Sequence, residues 1–411
     1  AYTGRLSQVD EMSERLTQNP MVIEAGQQII GQVTAVRSMA DLLVEVADLN
    51  DEERQNFSQR LASTAKDLGS STKTFQDLVF EQERQDWTSL TPDEQVDDFL
   101  MDHRNHFPQL EEAAKELRLG LQQHNLHTSL ELALSSRHKV RIQRIVGNQN
   151  LSDAPLGLQS SGYAFDRKRK VLYWRDLLPE PTLRFQMARV LAQLEAEDAI
   201  GAILKSSDTQ LEGDALLKGR SALSSYLASA IIYPYGRFLE TAREQRYDLD
   251  VLVQRFAGSF EQVCHRLTTL RRPGAEGIPF SFLRSDMAGN SSKRFSVQGL
   301  RMPRHGSACP LWALYQAFRT PGEISVQLAQ FPSNSRYLFI ARTITKQSSA
   351  YRAPKQTYAL MIGCDMVYAD QTVYADGLSA TGPTANATPV GSTCRLCPRN
   401  DCPQRAHESL L

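Results

Sequence analysis

YLFIARTI (337–344) and QTYALMI (356–362) decide the fold. Both are apolar runs rich in β-branched and aromatic residues, too short for a helix of ordinary length, and they read as strands. Working outward, similar runs stand at 280–283, 294–297 and 324–331, with Asp286-Met287-Ala288-Gly289-Asn290 as the turn between the first two. One helical stretch, 310–318, interrupts the series. The order strand, strand, helix, strand, strand, strand predicts an antiparallel sheet with a helix folded against it.

Upstream, the periodicity changes. Residues 1 to about 86 carry apolar residues at helical spacing, Met39, Leu42, Leu43, Val46 and Leu49, then Leu61, Ala65, Leu68 and Leu78. A helical hairpin or small bundle is expected, serving as a spacer or dimerisation element. Thr91-Pro92-Asp93-Glu94 opens a new helix: Thr caps, Pro suits the first turn, and two carboxylates meet the positive helix end. Strands are expected around 138–146 and 171–174, and a helix from Pro181. Residues 247–270 have the look of a helix-turn-helix broken at Gly258-Ser259. The second helix keeps Phe260, Val263 and Leu267 on one stripe, which assigns it to a core. The fold class is therefore α+β. The expected divisions are 1–88 (helical), 89–275 (mixed), 276–385 (α+β) and 386–411 (tail).

Downstream of the strands, residues 379–393 are small and polar with Pro and Gly, the composition of a linker or surface loop. Then Cys394-Arg-Leu-Cys397-Pro-Arg-Asn-Asp-Cys402-Pro403 sets three thiols at C-x2-C-x4-C spacing. Two intervening residues let one tight turn aim two sulfurs at a common centre, and the next four bring the third around. Arg395, Arg399 and Arg405 stand among them, where positive charge favours thiolates. An iron-sulfur cluster, 4Fe-4S first among the types, fits this pattern and needs a fourth ligand. Cys309 is the leading candidate, at the start of the 310–318 helix, where a helix N-terminus lowers a thiol pKa. Cys364 is the second. Cys264 lies on an apolar helix face and reads as an inert core residue. Zinc is the alternative, since His407 completes C-x2-C-x4-C-x4-H.

Bulk properties exclude more than they assign. The chain has 411 residues with 46 Lys and Arg against 47 Asp and Glu, 41% hydrophobic and 23% charged. Such a balance describes an ordinary globular protein and argues against a uniformly basic nucleic-acid binder. No apolar run is long enough to span a membrane and no secretion signal opens the chain, so a cytoplasmic location is expected. Six cysteines in this length do not make a disulfide scaffold. No GxGxxG, P-loop or serine triad signature appears, which weakens a redox enzyme or electron-transfer reading.

Three separated motifs, GSACPLWALYQAF (306–318), IGCDMVYADQTVYADGL (362–378) and CRLCPRNDCPQRA (394–406), resemble the short-chain fatty acyl transcriptional regulators. The resemblance runs from about residue 96 to the end. It implies an IrrE/ImmA-like zincin domain, an α+β sensor region and a cysteine tail, behind an N-terminal DNA-binding helix-turn-helix. That module is missing here, so the chain is expected to be a fragment or to have lost it. The peptidase motif departs from the pattern: in Arg184-Phe185-Gln186-Met187-Ala188-Arg189-Val190-Leu191-Ala192-Gln193, Arg189, Val190 and Gln193 stand where His, Glu and His would be. Arg cannot ligate zinc and Val cannot act as a base, so no proteolysis is expected. The resemblance also implies a homodimer and a short-chain acyl-CoA or similar ligand. In the sensor region Arg284, Lys293, Arg294, Arg301 and Arg304 are candidates for its phosphates, and Trp312 and Tyr315 for its acyl or adenine part.

Overall fold

The computed structural model describes residues 20–45, 50–85, 91–121, 125–146, 158, 161–176, 178–207, 209–297, 300, 302–303, 308–346, 355–378, 387–394, 397–406 and 408. Contacts divide the chain into two compact units, 1–91 and 92–411.

The first unit is a helical hairpin of α1 (Pro20–Glu45) and α2 (Asp51–Gln85). Asn50 and Glu53 cap α2 reciprocally, Glu53 N donating to Asn50 Oδ1 at 2.8 Å and Asn50 N to Glu53 Oε2 at 3.1 Å. Half-buried residues recur at alternating steps of three and four: Ile29, Gln32, Val36, Met39 and Leu43 on α1, and Phe57, Leu61, Thr64, Leu68 and Ser71 on α2. That is a coiled-coil seam. None of the hairpin's described side chains is fully buried.

The second unit opens with α3 (Pro92–Asp102), α4 (Pro108–Leu119) and α5 (Leu126–His138). A small sheet follows, β1 (Arg141–Ile145), β2 (Tyr163–Asp166) and β3 (Val171–Arg175), in the order β1-β3-β2. Then come α6 (Glu180–Glu195), α7 (Glu197–Ser206), α8 (Gly213–Ile232), α9 (Tyr235–Glu244), α10 (Leu249–Arg255) and α11 (Phe260–Thr268). Strands β4 (Ser281–Asp286), β5 (Ser291–Phe295), β6 (Ser325–Gln330), β7 (Arg336–Lys346), β8 (Gln356–Asp365) and β9 (Thr388–Pro389) form a sheet in the order β5-β4-β8-β7-β6-β9. Every pairing in it is antiparallel except β6 with β9.

Register explains why the central strands read as almost unbroken apolar runs. Phe282, Ile362 and Ile340 lie side by side, and so do Leu283, Met361 and Ala341. The first row packs with the helices; the second covers a smaller core with Trp312, Leu314, Phe331 and Val390. Both faces are buried, so both residue sets are apolar. The larger core runs without a break from Val96 to Ala369, across residue 275.

Residues 247–270 are core, as their stripe requires. Ser259 and Gln262 form a capping box on α11, and Phe260, Val263 and Leu267 are buried. Two details differ from the sequence expectation. The 310–318 helix is a single turn, α12 (Ala313–Gln316), entered from Trp312. Within 379–393, expected as linker, residues 387–393 are built into the fold: β9 pairs with β6, and Val390 is 1% exposed. Its apolar Pro389-Val390 step, closed by Gly391, supplies what an edge strand needs.

Candidate metal centre

Cys309, Cys394, Cys397 and Cys402 line one cleft, together with Pro389, Val390 and Gly391. The chain brings them there by short-range devices. Cys309 N donates to Ser392 O at 2.9 Å, and Trp312 Nε1 donates to Gly391 O at 2.8 Å. Trp312 is wholly buried, so this hydrogen bond fixes the 390–393 backbone against the sheet. Gly391 leaves the room that Cys397 occupies: a Cβ there would stand 2.9 Å from the Cys397 Sγ. Ala406 N points at Cys394 Sγ, 3.5 Å away. An N–H aimed at a thiolate tunes a sulfur-ligated cluster.

Two arginines pin the loop. Arg399 donates to the carbonyls of Val390 and, at 3.1 Å, Gln330. Arg405 donates to Cys394 O at 3.1 Å, Cys397 O at 2.9 Å and Arg399 O. These bonds all go to backbone carbonyls, so both arginines clamp the loop backbone. Arg395 and His407 lie outside the described residues.

The Cys309 thiol is held above its ordinary range by burial, opposed by the backbone N–H groups of Gly391 and Leu311, with Cys394 and Cys402 nearby adding to the rise. This corrects the expected depression by a helix end: α12 is one turn long and starts four residues later. Cys364 is excluded from the cleft. It pairs opposite Leu338, on the sheet face packed against the helices, and burial pushes its thiol up to about 12. Cys264 is likewise 1% exposed in the helical core. Among the described residues no group of three or more His, Cys, Asp or Glu side chains is arranged so as to hold a metal ion.

The zincin motif has been rebuilt with other contacts. Arg189 donates to Ser221 Oγ at 2.7 Å and to Gln186 Oε1 at 3.4 Å, and Val190 is 3% exposed. Arg184 reaches the carbonyls of Phe256 and Ala257, tying α6 to the end of α10. Helix, packing and anchoring survive with no metal ligand among them.

The ligand residues expected in the sensor region are engaged elsewhere. Arg284 pairs with Glu261 at 2.6 Å and donates to Ser292 Oγ at 2.8 Å. Lys293 faces the same Glu261, and burial lowers its pKa. Arg294 pairs with Asp97 at 3.1 Å and Asp98 at 3.9 Å. Trp312 is core, and the Tyr315 hydroxyl accepts from Ala308 N at 3.0 Å. Arg301 and Arg304 lie outside the described residues. The partners of Arg284 and Arg294 are distant in sequence, so only the three-dimensional structure reveals these ion pairs. The roles of Gly391 and Trp312 at the cleft were also missed; an indole beside a cysteine is their only local signal.

The fold is thus a zincin-like helical region with Arg189, Val190 and Gln193 at the motif positions, joined to an α+β unit that ends in a thiol-lined cleft. Residues 150–268 match the IrrE N-terminal-like domain, and residues 269–411 match the C-terminal domain of the short-chain fatty acyl coenzyme A regulators. The HTH-type transcriptional regulator RamB of Mycobacterium tuberculosis is 37% identical over 323 residues, 78% of this chain and 66% of that protein. The propionyl-CoA carboxylase regulator of Cereibacter sphaeroides is 41% identical over 260 residues, 63% of this chain and 56% of that protein. A solved Mycobacterium tuberculosis transcriptional regulator superposes with a TM-score of 0.71 at 34% identity, covering 78% of this chain and 95% of that one. The chain belongs to the family of short-chain fatty acyl coenzyme A regulators. It spans about two thirds of the length of RamB. No described helix is long and apolar enough to cross a membrane.

Proposed function

We propose that this chain is the sensing portion of a transcriptional regulator, carrying an iron-sulfur cluster of the 4Fe-4S type on Cys309, Cys394, Cys397 and Cys402 and responding to a short-chain acyl-CoA or related ligand. Four thiols from two distant segments lining one cleft is the observation that supports it. A cluster would supply a centre sensitive to iron and oxidant, and would staple the tail to the sheet edge at β9. DNA contact is assigned to a helix-turn-helix of the kind named in RamB, with ligand or cluster occupancy shifting DNA affinity through the helical hairpin. A homodimer built on that hairpin is the proposed assembly, because a two-helix seam buries little by itself.

Purification without oxygen tests the cluster. Iron and sulfide in a cubane's ratio, lost in Cys397→Ala and in Cys309→Ala, are expected; stoichiometric zinc in a colourless protein overturns it. Anaerobic titration with propionyl-coenzyme A tests the ligand, and a monomeric mass by light scattering removes the dimer.

A further inference from the structure

A second cavity, of about 470 Å³, lies among α4, the start of α9 and the segment after α11. It falls within the size range of small-molecule sites. Four cations line it, Lys115 and Arg118 from α4, Arg237 from α9, and Arg272. Glu111 is the one carboxylate in the lining, and it is already neutralised. Arg266 donates to its two oxygens at 2.7 and 2.9 Å, and the Tyr226 hydroxyl donates at 2.6 Å. Among the described residues, no carboxylate lies within ion-pair distance of Arg118, Arg237 or Arg272.

Lys115 pairs with Glu112 at 2.9 Å, while the three arginines, without such a partner among the described residues, repel one another. Burial lowers the pKa of Arg118, and the nearby Arg237 lowers it further. The guanidinium groups are nevertheless held in place. Arg118 Nη1 donates to Ile231 O at 2.7 Å, and Arg272 lies 4.2 Å over the Tyr235 ring. Helix α9 starts from Pro234 with no side-chain cap, and Tyr235 and Gly236 of its first turn line the cavity. The N–H groups of a first turn have no acceptor within their own helix and favour an anion. Nothing stands within 4 Å of where a Gly236 Cβ would be. Beside this basic floor, Leu119, Leu121 and Leu126 form an apolar wall.

We propose that this cavity binds the phosphates of an organic anion, with its uncharged part against the leucine wall. That the anion is a coenzyme A thioester rests on the function proposed above; the basic site itself does not. The acyl ligand would then meet the zincin-like helical region and not the outer sheet, where Arg284 and Arg294 are already paired.

Calorimetric titration of the full chain, prepared without oxygen, with propionyl-coenzyme A and separately with inorganic pyrophosphate tests this. Both are expected to bind, more weakly as salt rises. Arg237→Ala and Arg118→Gln are expected to weaken binding about tenfold or more, with visible absorbance and circular dichroism unchanged. Lys115→Glu, at an exposed position, weakens it without threatening the fold, and Arg284→Ala leaves it unchanged. If all variants bind propionyl-coenzyme A as the parent does, this site is overturned and the proposed function stands. If pyrophosphate binds at the arginines and propionyl-coenzyme A does not bind, the site stands and the acyl ligand falls. If neither binds, both are lost.

Discussion

Helix α6 and the cysteine tail differ in what each keeps, the one a packed scaffold and the other a set of thiols. In α6 the chain keeps the scaffold, a helix packed on α8 and anchored through Arg184, while Arg189, Val190 and Gln193 offer no zinc ligand. In the tail the scaffold is slight, one two-residue strand and a few carbonyl clamps, while four thiols meet at one cleft. Packing energy does not depend on what the helix carries, so a site can vanish and leave its fold behind. A loop with little packing of its own leans on what it binds.

The comparison breaks first at the charge pair inside the helical region. Arg266→Ala strands Glu111 in a site where the two side chains are 0% and 3% exposed, and a loss of about 3–5 kcal/mol is expected by chemical denaturation. A loss below about 1 kcal/mol would mean that this scaffold does not depend on its buried ion pair.

Gly391→Ala comes next. The added methyl must displace Cys397 or the backbone, at about 1–3 kcal/mol of overpacking strain, and iron retention during gel filtration is expected to fall sharply. Unchanged iron content would show that the cleft is softer than the hydrogen bonds suggest.

Asp97 joins α3 to the sheet through Arg294, and burial raises its pKa to about 6, the arginine opposing. Between the unfolded value near 4 and 6, the folded protein keeps a proton that the unfolded chain has lost. Stability from this group is full below about pH 4 and declines as pH rises through 6, by about 3 kcal/mol. Asp97→Asn should flatten that slope in thermal melts recorded from pH 4 to 7; an unaltered slope assigns it to another group.

Arg189→Ala should have the smallest effect. It removes a half-buried hydrogen bond to Ser221, at about 1 kcal/mol, and leaves iron content untouched. Iron loss in this variant would couple the two regions that the structure keeps separate.

Much of this was legible in the sequence because it is local. Strands β4, β6, β7 and β8 appear as apolar runs, the α3 start as a capping residue and the tail as thiol spacing, whereas β5 lies at 291–295, three residues ahead of the expected 294–297. The emptied zincin site is legible too, as three replaced residues. Strand β2 and β9 were not, since β2 has four residues and β9 two, too few to set a period. The Arg284–Glu261 pair was not legible for a different reason: a lone Arg284 looks the same whether Glu261 is beside it or far away.

Cys309 and Cys364 show where that boundary falls. Each follows a small residue and precedes a polar or turn-forming one, and the helix that ranked Cys309 first in the sequence proves to be one turn that starts four residues later. The sheet register turns Cys364 toward the helices, while the Ser392 hydrogen bond draws Cys309 to the tail. Caps, periodicities and thiol spacing depend on neighbours a few bonds away, so the sequence alone determined them. Which thiol joins the cleft, which arginine keeps a free face and where a cavity opens depend on segments brought together from afar, and only the closed tertiary structure decides how their burial and charges balance.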